Sequence, residues 1–219
     1  MDEVTVRAPA KVNTFLRVLG RRDNGYHDLE MVMVPLSLAD EIEIQKTSFG
    51  ISFSMDGEND AGMSGDNNLC CRAARALQKA SGCDYGVKIV LKKHIPIAAG
   101  LGGGSSDAAS VLMGLNKVWN LSWPKEKLAE LGTTLGADVP FFCFGGAAFV
   151  EGIGDRVSLY ESFPKLSFLL INPGFHVSTP WVYKQWDLQL TKKPCNARFR
   201  PLFRTLKEVV LSLSNDLET

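Results

Sequence analysis

The sequence predicts an α+β protein, and three features carry that expectation. They are an N-terminal stretch that alternates like β-strands, amphipathic helical segments between residues 67 and 136, and an apolar pattern that restarts after Gly152-Ile153-Gly154-Asp155. With 219 residues the chain exceeds a usual domain of about 100 to 150 residues, so one large domain or two smaller ones with a sizeable core are expected.

From Val4 to Leu19 the chain reads as extended, with Val12, Leu16 and Val18 on one face and Lys11, Asn13 and Arg17 on the other. Asp23-Asn24-Gly25 is a turn signal, and the apolar run Leu29 to Val34 reads as the returning strand. Asp40 to Ile44 and Ile51 to Met55 alternate in the same way. A helix capped by Asn67 or Asn68 sets Leu69, Ala73, Ala76 and Leu77 on one face and stops at Gly82. Val87, Ile89 and Leu91 alternate with lysines as a strand. A second helix, starting at Ser105 or Ser106, carries Ala108, Val111, Leu112 and Leu115 at helical spacing. A third, opened near Ser122 and Pro124 and closed by Gly136, turns Leu128, Leu131 and Leu135 inward. A domain boundary is expected near Asp155, dividing the chain into 1–155 and 156–219. Beyond it, Leu166 to Ile171 reads as a strand covered on both faces. Thr179-Pro180 opens a helix, Lys192 to Pro201 is a basic linker, and Leu202 to Leu213 is a last helix with Leu206 and Val210 in the core.

Composition narrows the function. A net charge of +0, with 45% hydrophobic and 22% charged residues, excludes a disordered or collagenous chain and argues against a nucleic-acid binder. A local site for a small polyanion remains possible. The five cysteines show neither C-x-x-C nor ligand spacing with the three histidines, so small buried apolar residues in a reducing compartment are expected. No acidic pair or histidine cluster suggests a protein-held metal. The N-terminus has no signal-peptide pattern and no run approaches the ~18 apolar residues of a membrane span, which predicts a cytoplasmic protein without a membrane partner.

The chemistry concentrates in Pro96-Ile97-Ala98-Ala99-Gly100-Leu101-Gly102-Gly103-Gly104-Ser105-Ser106, between a predicted strand and a predicted helix. Backbone N–H groups at a helix N-terminus bind phosphate, and only residues without a Cβ let the backbone wrap closely around it. The loop is not a Walker A motif, because no lysine follows Gly104. It is not the dinucleotide G-x-G-x-x-G either, because position 105 is serine. A glycine-rich turn that merely packs a helix onto a sheet has the same composition; placement between strand and helix favours phosphate.

Together with Pro9-Ala10-Lys11-Val12-Asn13 and Gly136-Ala137-Asp138-Val139-Pro140, this loop resembles the GHMP kinase superfamily, over about Ala8 to Glu218. Lys11-Val12-Asn13-Thr14-Phe15-Leu16 followed by Gly25-Tyr26-His27-Asp28-Leu29 is similar to the branch whose substrate is a CDP-linked methylerythritol. The resemblance implies a ribosomal S5-like N-terminal domain that binds ATP and a ferredoxin-like C-terminal domain, with substrates held in the cleft between them. The C-terminal domain is expected to be incomplete here, because the chain ends at Asn215-Asp216-Leu217-Glu218-Thr219, before the family's third Gly-rich motif. The resemblance also implies ATP with Mg²⁺, a small-molecule partner and no nucleic acid.

Residue roles follow from the same resemblance. Asp138 is the general base that takes the acceptor hydroxyl's proton, although on pattern alone it reads as the cap of a helix starting at Val139-Pro140. Lys11 stabilises the developing charge, although a lysine on a strand often faces solvent. Tyr26 stacks on the cytosine, His27 bonds its edge, and Tyr183 after Thr179-Pro180 is the second wall; Asn13 and Thr179 complete the substrate set. Asn68 reads the adenine, or else it only caps its helix. Two alternatives stay open: another GHMP kinase acting on homoserine, mevalonate or a sugar, and a truncated nucleotide-binding module without turnover.

Overall fold

Glycine turns and capped helices cut the chain into β1 (Glu3–Arg21), β2 (His27–Thr47), β3 (Ile51–Asp56), α1 (Leu69–Ser81), β4 (Gly86–Lys92), α2 (Gly103–Val118), α3 (Lys125–Thr133), α4 (Val139–Phe144), β5 (Ala148–Gly152), β6 (Arg156–Leu159), α5 (Thr179–Leu188), α6 (Leu206–Ser212) and β7 (Ser214–Asn215). The structure is a computed structural model and describes residues 2–56, 67–174, 177–188 and 203–218. Two compact units divide the chain. The first comprises Met1–Ala10, Leu36–Ile97 and Leu101–Gly145; the second comprises Lys11–Pro35, Ala98–Gly100 and Gly146–Thr219. The division is thus discontinuous in sequence, with β1 and β2 each running from one unit into the other. Asp155, where a single boundary was expected, lies in the turn between β5 and β6.

In the first unit Glu41 to Thr47 of β2 pair antiparallel with Lys92 to Gly86 of β4, and β3 pairs parallel with Val87 to Lys92. Alternation sends Ile42, Ile44, Ile89 and Leu91 to a fully buried layer. The helices complete it, with α1 packed on α2, and α2 on α3 and α4. Leu77, Leu112, Leu115, Leu128 and Phe141 come from these helices. Helix α1 starts as expected: the Asn68 side chain accepts a hydrogen bond from the Cys70 amide at 2.8 Å. Helix α2 begins at Gly103, two residues before the expected serine, because Gly102 takes a left-handed conformation that ends the loop there. Helix α3 stops at Thr133, short of Gly136, and Leu131 and Leu135 are only half-buried. Six residues, Val139–Phe144, form the separate helix α4, which carries proline in its first turn. Cys70, Cys71 and Cys143 are buried free thiols, and burial pushes the Cys143 thiol up to about 12.

In the second unit Leu29 to Met33 of β2 pair antiparallel with β5, which pairs with β6. Phe15 and Leu16 of β1 pair parallel with β7. The two strands expected at Leu29–Val34 and Asp40–Ile44 are therefore one strand, continuous through Pro35. Phe15, Val32, Val34, Phe149, Phe203 and Val209 form the core, with Tyr160 and Phe163 packed against it.

Two expectations fail in this unit. Leu166 to Ile171 forms no strand: Leu169 is 88% and Ile171 83% exposed, and no strand among the described residues pairs with the run. The last helix begins at Leu206, opened by a capping box between Thr205 and Glu208, and it buries Val209 while Leu206 and Val210 are exposed. Lys192 to Pro201 and Leu202 lie outside the described residues. No described helix is long and apolar enough to cross a membrane.

Candidate active site

The glycine-rich loop runs from the end of β4 into α2, with Ala98–Gly100 counted in the second unit and the rest in the first. Ala98, Gly100 and Gly102 have φ of +55°, +74° and +71°, so every second residue of this stretch is left-handed. Such alternation turns successive N–H groups towards one side, as in backbone nests that bind anions. The first helical hydrogen bond is from the Ser106 amide to Gly102 O, which leaves the amides of Gly103, Gly104 and Ser105 without an intrahelical acceptor. No acidic residue in the first turn and no side-chain cap competes for them. Gly103 cannot be replaced easily, since an added Cβ would lie 3.1 Å from Lys93 Nζ and 3.2 Å from Ile95 Cγ2.

The other candidates of the first unit lie around the helix ends. Asp138 occupies the N-cap position of α4 with φ of −84° and ψ of −11°, and its side chain makes no capping hydrogen bond. The cap reading therefore fails for Asp138. A Cβ on Gly136 would lie 3.6 Å from Ser105 Oγ, which places the Gly136-Ala137-Asp138 segment beside the start of α2. Leu69, next to Asn68, approaches Gly104 from α1, its Cδ1 lying 3.3 Å from an added Cβ there.

A buried ionic cluster stands behind the loop. Lys93 Nζ donates to Asp40 Oδ2 at 2.5 Å and to Asp107 Oδ2 at 3.0 Å, and both carboxylates are nearly fully buried. Asp40 Oδ1 accepts from the His94 and Ile95 amides at 2.6 and 2.8 Å. One ammonium between two carboxylates leaves a surplus negative charge. Burial, assisted by Asp40 and opposed by Lys93, pushes Asp107 up to about 7. Burial alone would lower the Lys93 ammonium, but Asp107 and Asp40 more than offset this and hold it above its usual range. Ser106 Oγ and Asp107 Oδ1 are buried without a hydrogen-bond partner.

The second unit holds the other set. Lys11 is only 7% exposed, so it is not a solvated strand residue, and its Nζ lies 3.5 Å from Asn13 Oδ1. Tyr26 is 57% exposed, whereas His27 is 8% exposed. His27 Nε2 lies 2.8 Å from Asp187 Oδ1, and Asp187 also meets Arg21 at 3.4 Å. Tyr183 stacks on His27, with ring centroids 4.7 Å apart and planes at 17°, and Trp186 meets the same imidazole edge-on. One face of Tyr183 is thus taken by His27. With Nε2 facing Asp187, Nδ1 is the ring nitrogen left for another partner. Thr179, at the first position of α5, is exposed.

Asn68, Pro96, Ile97, Leu101 to Ser106 and Asp138 lie in the first unit, and Lys11, Asn13, Tyr26, His27, Ala98 to Gly100, Thr179 and Tyr183 in the second. Sequence reasoning missed Asp187, Trp186 and the Lys93 cluster. Asp187 falls four residues after Tyr183, on the same helical face, and that spacing was the available signal. Nothing local marks the pairing of Lys93 with Asp40, 53 residues earlier.

Comparison with known proteins gives a consistent picture. Residues 68–146 match the family described as GHMP kinases N terminal domain. Over its whole length the chain is 46% identical to a 4-diphosphocytidyl-2-C-methyl-D-erythritol kinase of Geobacter sulfurreducens, covering 77% of that protein. It is 45% identical to the enzyme of the same name from Syntrophus aciditrophicus, with 98% of this chain and 76% of that one aligned. Among solved structures, a 4-(cytidine 5'-diphospho)-2C-methyl-D-erythritol kinase superposes with a TM-score of 0.66 at 40% identity, covering 83% of this chain and 63% of the other. A homoserine kinase from Cytophaga hutchinsonii, 17% identical with a TM-score of 0.57 over 84% and 60% of the two chains, shares the fold.

Proposed function

Since this chain belongs to the 4-diphosphocytidyl-2-C-methyl-D-erythritol kinases of the GHMP family, we propose that it transfers the γ-phosphate of ATP to the 2-hydroxyl of 4-diphosphocytidyl-2-C-methyl-D-erythritol, a step of non-mevalonate isoprenoid (terpenoid) precursor synthesis. The observation that carries the reading furthest is the loop that ends in three unclaimed amides, at Gly103, Gly104 and Ser105, at the positive end of a sixteen-residue helix. Those amides, with Pro96 to Gly102 and Ser106, hold the triphosphate, and Asn68 meets the adenine.

Asp138 accepts the proton of the substrate hydroxyl as its oxygen bonds to the γ-phosphorus and the bond to the β-phosphate oxygen breaks, releasing ADP. Such general-base assistance contributes roughly 10²- to 10⁴-fold. Lys11 offsets the charge that develops on the transferred group. Mg²⁺ would come with ATP and would offset the charge of its phosphates.

Tyr26, His27 and Tyr183 receive the cytosine, and Asn13 and Thr179 the rest of the substrate. An acceptor at His27 Nδ1 would suit the exocyclic amine of cytosine, where uracil presents a carbonyl. Residues 1–155 are assigned to the ATP-binding domain and 156–219 to part of the substrate-binding domain, with residues 11–35 supplying Lys11, Asn13, Tyr26 and His27. The free thiols fit a cytoplasmic enzyme.

The test is kcat/KM for the CDP-linked alcohol against homoserine, mevalonate and a sugar, each with ATP. A preference of at least ~10²-fold for the CDP-linked alcohol is expected, since a site built to bond a polar group rejects ligands lacking it. A preference for any of the others removes the assignment. Nucleotide binding without transfer to any of them would favour a module without turnover.

A further inference from the structure

We propose that Lys93 is a positioning residue of the phosphate loop, a single ammonium that braces the loop's entry against its exit and so fixes where the amides of Gly103 to Ser105 point. The inference rests on the reading of that loop as the site of the ATP phosphates.

The loop needs a brace. Its backbone passes through the left-handed region at Ala98, a residue with a Cβ, and again at Gly100 and Gly102. A non-glycine residue there is strained and persists only where its surroundings over-determine it. At the entry, the amides of His94 and Ile95 have passed the end of β4 and are held instead by Asp40 Oδ1. At the exit, Asp107 lies one residue beyond Ser106, inside the first two turns of α2. Lys93 Nζ donates to both carboxylates, so Asp40 on β2, the lysine itself and the start of α2 are joined at one nitrogen. That nitrogen also lies against the helix's first residue, 3.1 Å from where a Cβ on Gly103 would be. Ser106 Oγ and Asp107 Oδ1, buried and unpartnered, stand at the same place. A buried polar group left without a partner is destabilising.

A network that served stability alone would lower the melting temperature and leave ligand affinities per folded molecule unchanged. A positioning network weakens the nucleotide selectively. The experiment titrates the full chain, its Lys93→Met and Lys93→Arg variants and the control Gly102→Val with a non-hydrolysable ATP analogue and, separately, with CDP, by calorimetry, alongside thermal melts. Lys93→Met is expected to weaken the ATP analogue by tenfold or more while CDP affinity stays within twofold. Lys93→Arg, which keeps the charge, recovers at least part of the loss. A folded Lys93→Met with unchanged ATP-analogue affinity, equal losses for both ligands, or an arginine that rescues nothing would overturn the proposal. If Lys93→Met does not fold, Asp107→Asn is titrated instead, with a threefold or greater loss for the ATP analogue expected and no change contradicting it. Gly102→Val separates the two levels. If it leaves ATP-analogue affinity intact in a folded protein, the phosphate-loop reading fails and the inference falls with it. If it weakens the analogue while Lys93→Met does not, only the role of Lys93 is lost.

Discussion

Helix α2 and the segment from Leu166 to Ile171 are both rich in apolar residues, yet they end in opposite states. In α2, Ala108, Ala109, Val111, Leu112 and Leu115 are all fully buried, covered by α1, α3 and α4. In the later segment Leu169 and Ile171 stand almost fully exposed, and no strand pairs with them among the described residues. Hydrophobicity decides what an element would bury; whether it does depends on a partner surface. The chain spans 77% of the length of the Geobacter sulfurreducens relative.

The sharpest way to break the comparison is to remove the same kind of side chain from each region. Leu112→Ala leaves a cavity in a closed core and should cost about 2 to 5 kcal/mol in denaturant unfolding. A cost below ~1 kcal/mol would mean that α2 is not packed as described. Next in size is Asp138→Asn, a change of charge without a change of shape, which should lower kcat by roughly 10²-fold or more while the fold survives. If that variant unfolds while activity per folded molecule survives, Asp138 is structural after all.

Much of the first unit was legible because its signals are local. Asn68 caps α1, Gly82 ends it, and the strand-loop-helix order around Gly102 is written in consecutive residues. The second unit was read less well. The β5–β6 hairpin hid behind a turn that also looks like a linker, and the buried face of α6 was assigned one residue off, to Val210 instead of Val209. Asp187 and Lys93 escaped because each acts on residues distant in sequence: His27 lies 160 positions from Asp187, and Asp40 lies 53 from Lys93.

Smaller effects sharpen the picture. The Asp107 carboxyl, facing Lys93 and Asp40 with Cys70 of α1 nearby, is raised from 3.8 to about 7 in the folded state. Between those values the folded protein holds a proton that the unfolded chain releases. Asp107 therefore stabilises the fold below pH ~4, and this is lost as pH rises towards 7, with a slope of at most about 1.4 kcal/mol per pH unit. Asp107→Asn cannot titrate, so subtracting its stability curve from that of the wild type should isolate the decline; a flat difference would contradict it. His27→Ala should raise KM for the cytidine substrate about tenfold and spare KM for ATP, with Asp187→Asn producing part of the same change; bonds of this kind contribute roughly 0.5 to 1.5 kcal/mol. Equal losses for both substrates would argue against a cytidine role for that cluster. Ile171→Ser, at an exposed position, should shift stability by no more than ~0.5 kcal/mol. A larger loss by denaturant unfolding would show that the side chain is buried.

The most direct test follows phosphorus. When the 219-residue chain is incubated with ATP, Mg²⁺ and 4-diphosphocytidyl-2-C-methyl-D-erythritol and observed by ³¹P NMR, a new phosphomonoester on the methylerythritol carbon chain should grow in step with ADP. ADP formed with inorganic phosphate alone, or a phosphomonoester that appears only with a different alcohol, would contradict the account.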